Sequence, residues 1–135
     1  MGTMVEQTVQ PGDGVFVACD APGQPNSAFF EDDRETAYFY AVDLTRSDNM
    51  ILDAVQIYNV ANVTDRDRLS TLSIVWSEDG LKCALLINGY SHAVFDFLAE
   101  RGYCRTNFPN FPGQTPGCWP SSDHSWSDDA VVWLK

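Results

Sequence analysis

The side chains with the widest chemical range in this chain are His92, His124 and Cys104, with Arg105 beside them. An imidazole next to a thiol draws off its proton and makes a thiolate nucleophile. His92, Cys104 and His124 are therefore the candidate Cys/His site, and it requires all three to converge in a pocket. The plainer reading of His92 is capping or packing beside Tyr90 and Ser91. No Gly-rich phosphate loop, nucleophile elbow, His-Glu-x-x-His or Cys-x-x-Cys accompanies these residues. Catalysis has no signature, and binding without catalysis is the leading expectation.

The four cysteines do not form the dense framework of a small secreted domain. Cys83 lies in the apolar run Cys83-Ala84-Leu85-Leu86-Ile87, where a thiol acts as a small buried hydrophobe. Cys104 and Cys118 flank a loop, in position to pair or to reach a metal. Their spacing from each other and from His124 matches no zinc knuckle or finger, and no segment has the alternating ligands of a calcium loop. Neither a metal nor another cofactor is expected.

Nineteen carboxylates against eight Lys and Arg give a formal charge of −11 on 135 residues, of which 44% are hydrophobic. Eight Phe, five Tyr and four Trp exclude an acidic disordered tail, so the acid coats a packed body. Nucleic acid is disfavoured, because neutralising phosphates needs a basic patch, and an anionic membrane surface is disfavoured for the same reason. The partner that this charge suits is a basic protein. Glu31, Asp32, Asp33 and Glu35 crowd one hairpin tip, and Asp123, Asp128 and Asp129 surround an aromatic segment. Solvation alone also explains such clusters.

That segment, residues 104–128, carries four prolines together with Phe108, Phe111, Trp119 and Trp126. Two readings stand: its rings cap an open end of the core, or one of them anchors a partner. With the acidic residues just named, these four rings make up the candidate partner-binding set. A ligand-binding regulatory domain with this loop as a lid is a further alternative.

The elements that must position these groups are short. Gly14–Ala18 reads as a strand, and Ser27–Glu31 and Thr36–Val42 form a hairpin around the charged tip. Met50–Val60 suits a strand or a helix, with a strand favoured from about Ala54. Ser70–Trp76 and Leu81–Ile87 form a second hairpin, whose latter strand is central because it is apolar on both faces. Ser91 is placed to cap a helix over Ala93–Arg101, with Val94, Phe97 and Leu98 on one face and Gly102 as terminator. Asp129–Lys135 reads as a returning strand. The expected fold is α+β: an antiparallel sheet of about six to seven strands with one main helix packed on it and a long aromatic, Pro-rich loop before the last strand. Residues 1–12 read as a flexible N-terminus and 13–135 as a single domain. With no signal-peptide pattern before Pro11 and no apolar run long enough to span a bilayer, a cytoplasmic location is expected.

The run Leu86-Ile87-Asn88-Gly89-Tyr90-Ser91-His92-Ala93-Val94-Phe95-Asp96-Phe97, with Gly102-Tyr103-Cys104-Arg105-Thr106-Asn107-Phe108-Pro109 and Trp126-Ser127-Asp128-Asp129-Ala130-Val131, resembles a bacterial family of small acidic proteins known as a domain of unknown function. The resemblance covers most of the chain from about Gly14, and its most specific block is Asn88 to Pro109. It implies no catalytic residue. Size, charge and layout are also similar to those of immunity proteins that neutralise toxins; the analogous role here is an inhibitor of a basic toxin or nuclease domain.

Overall fold

The computed structural model describes residues 4–47, 50–63, 68–105 and 125–134. Among the described residues, nine strands form two antiparallel sheets: β1 (Met4–Val9), β6 (Ser70–Trp76), β7 (Lys82–Ile87), β8 (Tyr90–Asp96) and β9 (Arg101–Cys104) in one, in the order β1-β6-β7-β8-β9. The other runs β2 (Val15–Asp20), β3 (Asn26–Asp32), β4 (Thr36–Asp43) and β5 (Ile51–Asn59) in chain order. Both expected hairpins are present, as β3–β4 and β6–β7, and β7 is the central strand of its sheet.

Alternation builds the core. Leu72, Ile74 and Trp76 on β6, Cys83 and Leu85 on β7, and Ala93 and Phe95 on β8 point inward. They meet Val17 and Cys19 on β2, Ala28 and Phe30 on β3, Ala37, Phe39 and Ala41 on β4, and Val55 and Ile57 on β5. Phe39 stacks on Phe95 between the sheets, with centroids 4.8 Å apart. The buried Trp76 indole N–H donates to Cys19 O at 2.8 Å, tying β6 to β2. Each such ring contributes about 2–3 kcal/mol by leaving water.

The fold is thus a β-sandwich, which corrects the expected α+β arrangement of six or seven strands under a main helix. Residues 93–101, expected to be helical, are the end of β8, a reverse turn and the start of β9. Ala93 and Phe95 face the core, while Val94 is buried on the opposite side, where it shares a cleft with Ser127, Asp129 and Ala130. Burial on both faces erased the period of two. Asp96 Oδ1 then accepts the Leu98 and Ala99 amides at 3.1 and 3.0 Å, and Glu100 takes a left-handed φ of 55°, so the chain turns back. Leu98, assigned to the buried helix face, is 77% exposed.

The C-terminal segment is also corrected: Asp128–Leu134 is a 3-10 helix, not a strand. It begins at the Ala130 N–H to Ser127 O bond, and the Trp133 indole donates back to Ala130 O at 2.7 Å. Residues 4–9, within the stretch read as a flexible N-terminus, form β1, paired along its length from Met4 opposite Val75 to Val9 opposite Ser70. Among the described residues, no helix is long and apolar enough to cross a membrane.

Candidate binding surface

Of the proposed Cys/His set, the described residues Cys104 and His92 do not converge. Cys104 lies opposite Ala93 in the β8–β9 register, so its thiol enters the core, 2% exposed, with Sγ 3.7 Å from Gln56 O. His92 is the extra residue of a bulge, since Leu85 faces Ala93 and Leu86 faces Ser91. Its imidazole sits beside the Tyr90 ring, with centroids 5.4 Å apart, and within reach of the Arg105 charge. Burial, and then the Arg105 charge, hold the His92 pKa below its ordinary value. His124 and Cys118 lie outside the described residues. Burial pushes the thiols of Cys19 and Cys83 up, which removes them as nucleophiles. No group of three or more His, Cys, Asp or Glu among the described residues is placed to hold a metal.

The acidic hairpin tip divides by orientation. Asp32 points inward and is 2% exposed; the amides of Gly12 and Arg34 donate to it at 2.8 Å each, and the Tyr58 hydroxyl at 2.6 Å. It is an internal pin for the tip rather than a surface charge. Asp33 Oδ1 accepts the amides of Glu35 and Thr36, which sets the turn, and Glu35 is exposed. Glu31 lies on the outer face, where the Tyr40 hydroxyl donates to it at 3.1 Å. Burial first, then the Glu31 carboxylate, raise the Tyr40 pKa far above its ordinary value, so the phenol remains a donor.

The other predicted residues belong to the opposite sheet. Trp126 covers Arg105, with the guanidinium carbon 3.9 Å from the ring centre, and its indole N–H donates to Asp128 at 2.9 Å. Asp129 shares the cleft of Lys82, Val94 and Tyr103. The hairpin tip and the Trp126, Asp128 and Asp129 group therefore do not form one patch. Phe108, Phe111, Trp119 and Asp123 lie outside the described residues.

What the four-stranded sheet does gather on its outer face is a group of rings. Cross-strand register places Phe16, Glu31 and Tyr38 in one row and Ala18, Phe29 and Tyr40 in the next. Phe16 is 55% exposed and packs on Phe29 at 5.1 Å; Tyr38 stacks on Tyr40 at 6.0 Å. Glu31 thus stands between two aromatic neighbours, a setting that suits an ammonium or guanidinium group on an apolar stem. Strands β2 to β5 carry Asp20, Glu31, Asp32, Asp43 and Asp53 and no Lys or Arg. The five-stranded sheet carries Glu6 and Asp96 against Lys82 and Arg101. Of these carboxylates, Glu31 and Asp20 fall on the aromatic face, whereas Asp32 is internal, Asp53 lies opposite the inward Ala41, and Asp43 lines a cleft with Leu81 and Phe97 of the other sheet. Period-two alternation in Phe16-x-Ala18, Phe29-x-Glu31 and Tyr38-x-Tyr40 is the sequence signal for this face.

The profile of a family described as uncharacterised proteins conserved in bacteria (DUF2251) matches residues 9–134. An uncharacterised protein of Haemophilus influenzae is 43% identical over 83 residues, covering 62% of this chain and 52% of that protein. The chain thus spans about half the length of this relative. No solved structure matches.

Proposed function

Given that the chain belongs to this bacterial family of uncharacterised proteins, we propose from its own surface that it is a binding protein for a basic protein partner. The partner docks on the outer face of β2–β4. The observation that carries the reading is the coincidence of exposed Phe16 and half-buried Phe29, Tyr38 and Tyr40 with Glu31, on strands that hold no Lys or Arg. Carboxylates steer a cationic surface into encounter over about 10 Å at 0.1 M salt, and the rings then exclude water and lengthen the complex lifetime. The biological form of this role is that of an immunity-type inhibitor, masking a basic toxin or nuclease domain in the cytoplasm.

Affinity capture from a bacterial lysate, run in parallel with the native protein and a Phe16→Ala/Glu31→Gln variant at low and high salt, tests the reading. A basic protein should be retained at low salt, released as salt rises, and not retained by the variant. Capture of a neutral or acidic protein, equal capture by the variant, or indifference to ionic strength would contradict it.

A further inference from the structure

The opposite sheet holds a cation in contact with two aromatic rings. Arg105 follows β9 directly, and alternation from the inward Cys104 points it outward. Its guanidinium carbon lies 4.5 Å from the Tyr90 ring centre and 3.9 Å from that of Trp126. A guanidinium that meets rings through its face keeps its N–H fork, which lies in the guanidinium plane, for polar contact. Nε donates to Ser91 O at 2.6 Å, which fixes the fork's rotation. Among the described residues, no oxygen accepts from its terminal nitrogens.

His92 borders this guanidinium. The bulge gives β8 one residue more than β7 at this point, and that residue is His92, whose ring meets Tyr90 edge-on at 5.4 Å. Its Nδ1 is buried and has no hydrogen-bond partner among the described residues. Buried nitrogens are normally satisfied, so a missing partner at this place is an observation in its own right. Burial keeps the imidazole neutral, with one N–H to give.

We propose that Arg105 and His92 form a carboxylate-binding site. The two terminal nitrogens of Arg105 meet both oxygens of a planar carboxylate, and His92 Nδ1–H supplies a third donor. A planar monoanion suits a planar fork flanked by rings, whereas a doubly charged phosphate would have to overcome more of the repulsion from a protein of charge −11. Lys82 and Arg101, in one row across β7, β8 and β9 with Asp96 between them, stand on the same outer face and soften that repulsion. The carboxylate belongs either to the C-terminus of a peptide or to a small organic acid.

Titration of the isotopically labelled full-length protein with sodium acetate, against sodium chloride at equal ionic strength, tests the site by NMR. The Arg105 Nε–H and His92 ring signals should shift saturably with acetate and not with chloride. Arg105→Lys, which keeps the charge and loses the fork, should weaken acetate roughly tenfold. His92→Gln, which leaves the ring stack in place, should weaken it as well, and the core amides of β6 and β7 report that each variant is folded. A tripeptide with a free C-terminus that binds while its amide does not identifies a peptide end as the ligand; acetate binding with both peptides refused identifies a small acid. Signals that move no more with acetate than with chloride, or affinity unchanged in both variants, would overturn the proposal.

Discussion

The tip sequence Glu31-Asp32-Asp33-Arg34-Glu35 reads as one acidic cluster, but its carboxylates have different environments and different consequences. Asp32 satisfies three donors in the interior, so Asp32→Asn turns an amide NH₂ toward the backbone N–H of Gly12 or of Arg34, neither of which can accept. That variant is expected to lose about 2–3 kcal/mol in urea denaturation, as a broken buried charged hydrogen-bond set does. Glu35→Gln, on the exposed side, should stay within about 0.5 kcal/mol. Equal losses would return the tip to a single solvated cluster. The distinction was hidden in the sequence because charge alone does not reveal which way an alternating residue faces. Alkaline pH tests a second set of buried groups. The Cys19 and Cys83 thiols are pushed up by burial, and Tyr58 is raised by burial and by its bond to Asp32. Each keeps its proton in the fold at pH values where the unfolded state has released it, so the unfolded state binds fewer protons and stability falls as pH rises. Denaturation midpoints should drop above about pH 8.5, where free thiols ionise, and more steeply above about pH 10, where free phenols do. A flat profile to about pH 11 would contradict the protonated, buried assignments.

At the scale of elements, the two hairpins were legible because alternation and turn residues agree there. Asp32–Glu35 joins β3 to β4, and Glu78-Asp79-Gly80 lies between β6 and β7. The supposed helix was misread because Ala93, Val94 and Phe95 are buried consecutively, which leaves no outward polar residue to mark a strand. Phe97 then supplied a helical spacing by chance, since in the fold its ring packs on Trp76 at 5.2 Å. The β6–β7 turn offers an element-scale check. Gly80 has φ of 70°, and a Cβ there would lie 2.5 Å from Pro22 O, whereas Gly89, at φ of 80° in the β7–β8 turn, faces open space. Gly80→Ala should cost about 2–4 kcal/mol, from left-handed strain plus overpacking, and Gly89→Ala only about 1 kcal/mol, from strain. Urea midpoints of the two variants measure the difference, and similar costs would mean that the Pro22 loop does not close over Gly80.

Over the whole molecule, the acidic excess was plain from composition, but its polarity was not. Which carboxylates share a face depends on how β2, β3 and β4 pair, and a one-dimensional pattern carries no register. Phe16, Phe29, Tyr38 and Tyr40 were each visible as strand residues, yet only the pairing of Phe16 with Glu31 and of Phe29 with Tyr40 makes them a surface. The functional account depends on that surface being the one a cationic partner grips. The most direct measurement is a backbone-amide NMR footprint of the full-length protein titrated with a short Lys- and Arg-rich peptide at low salt. The account predicts shifts concentrated on β2, β3 and β4 around Phe16 and Glu31, fading as salt is raised. Shifts spread evenly over both sheets, or centred on β6 to β9, would contradict it.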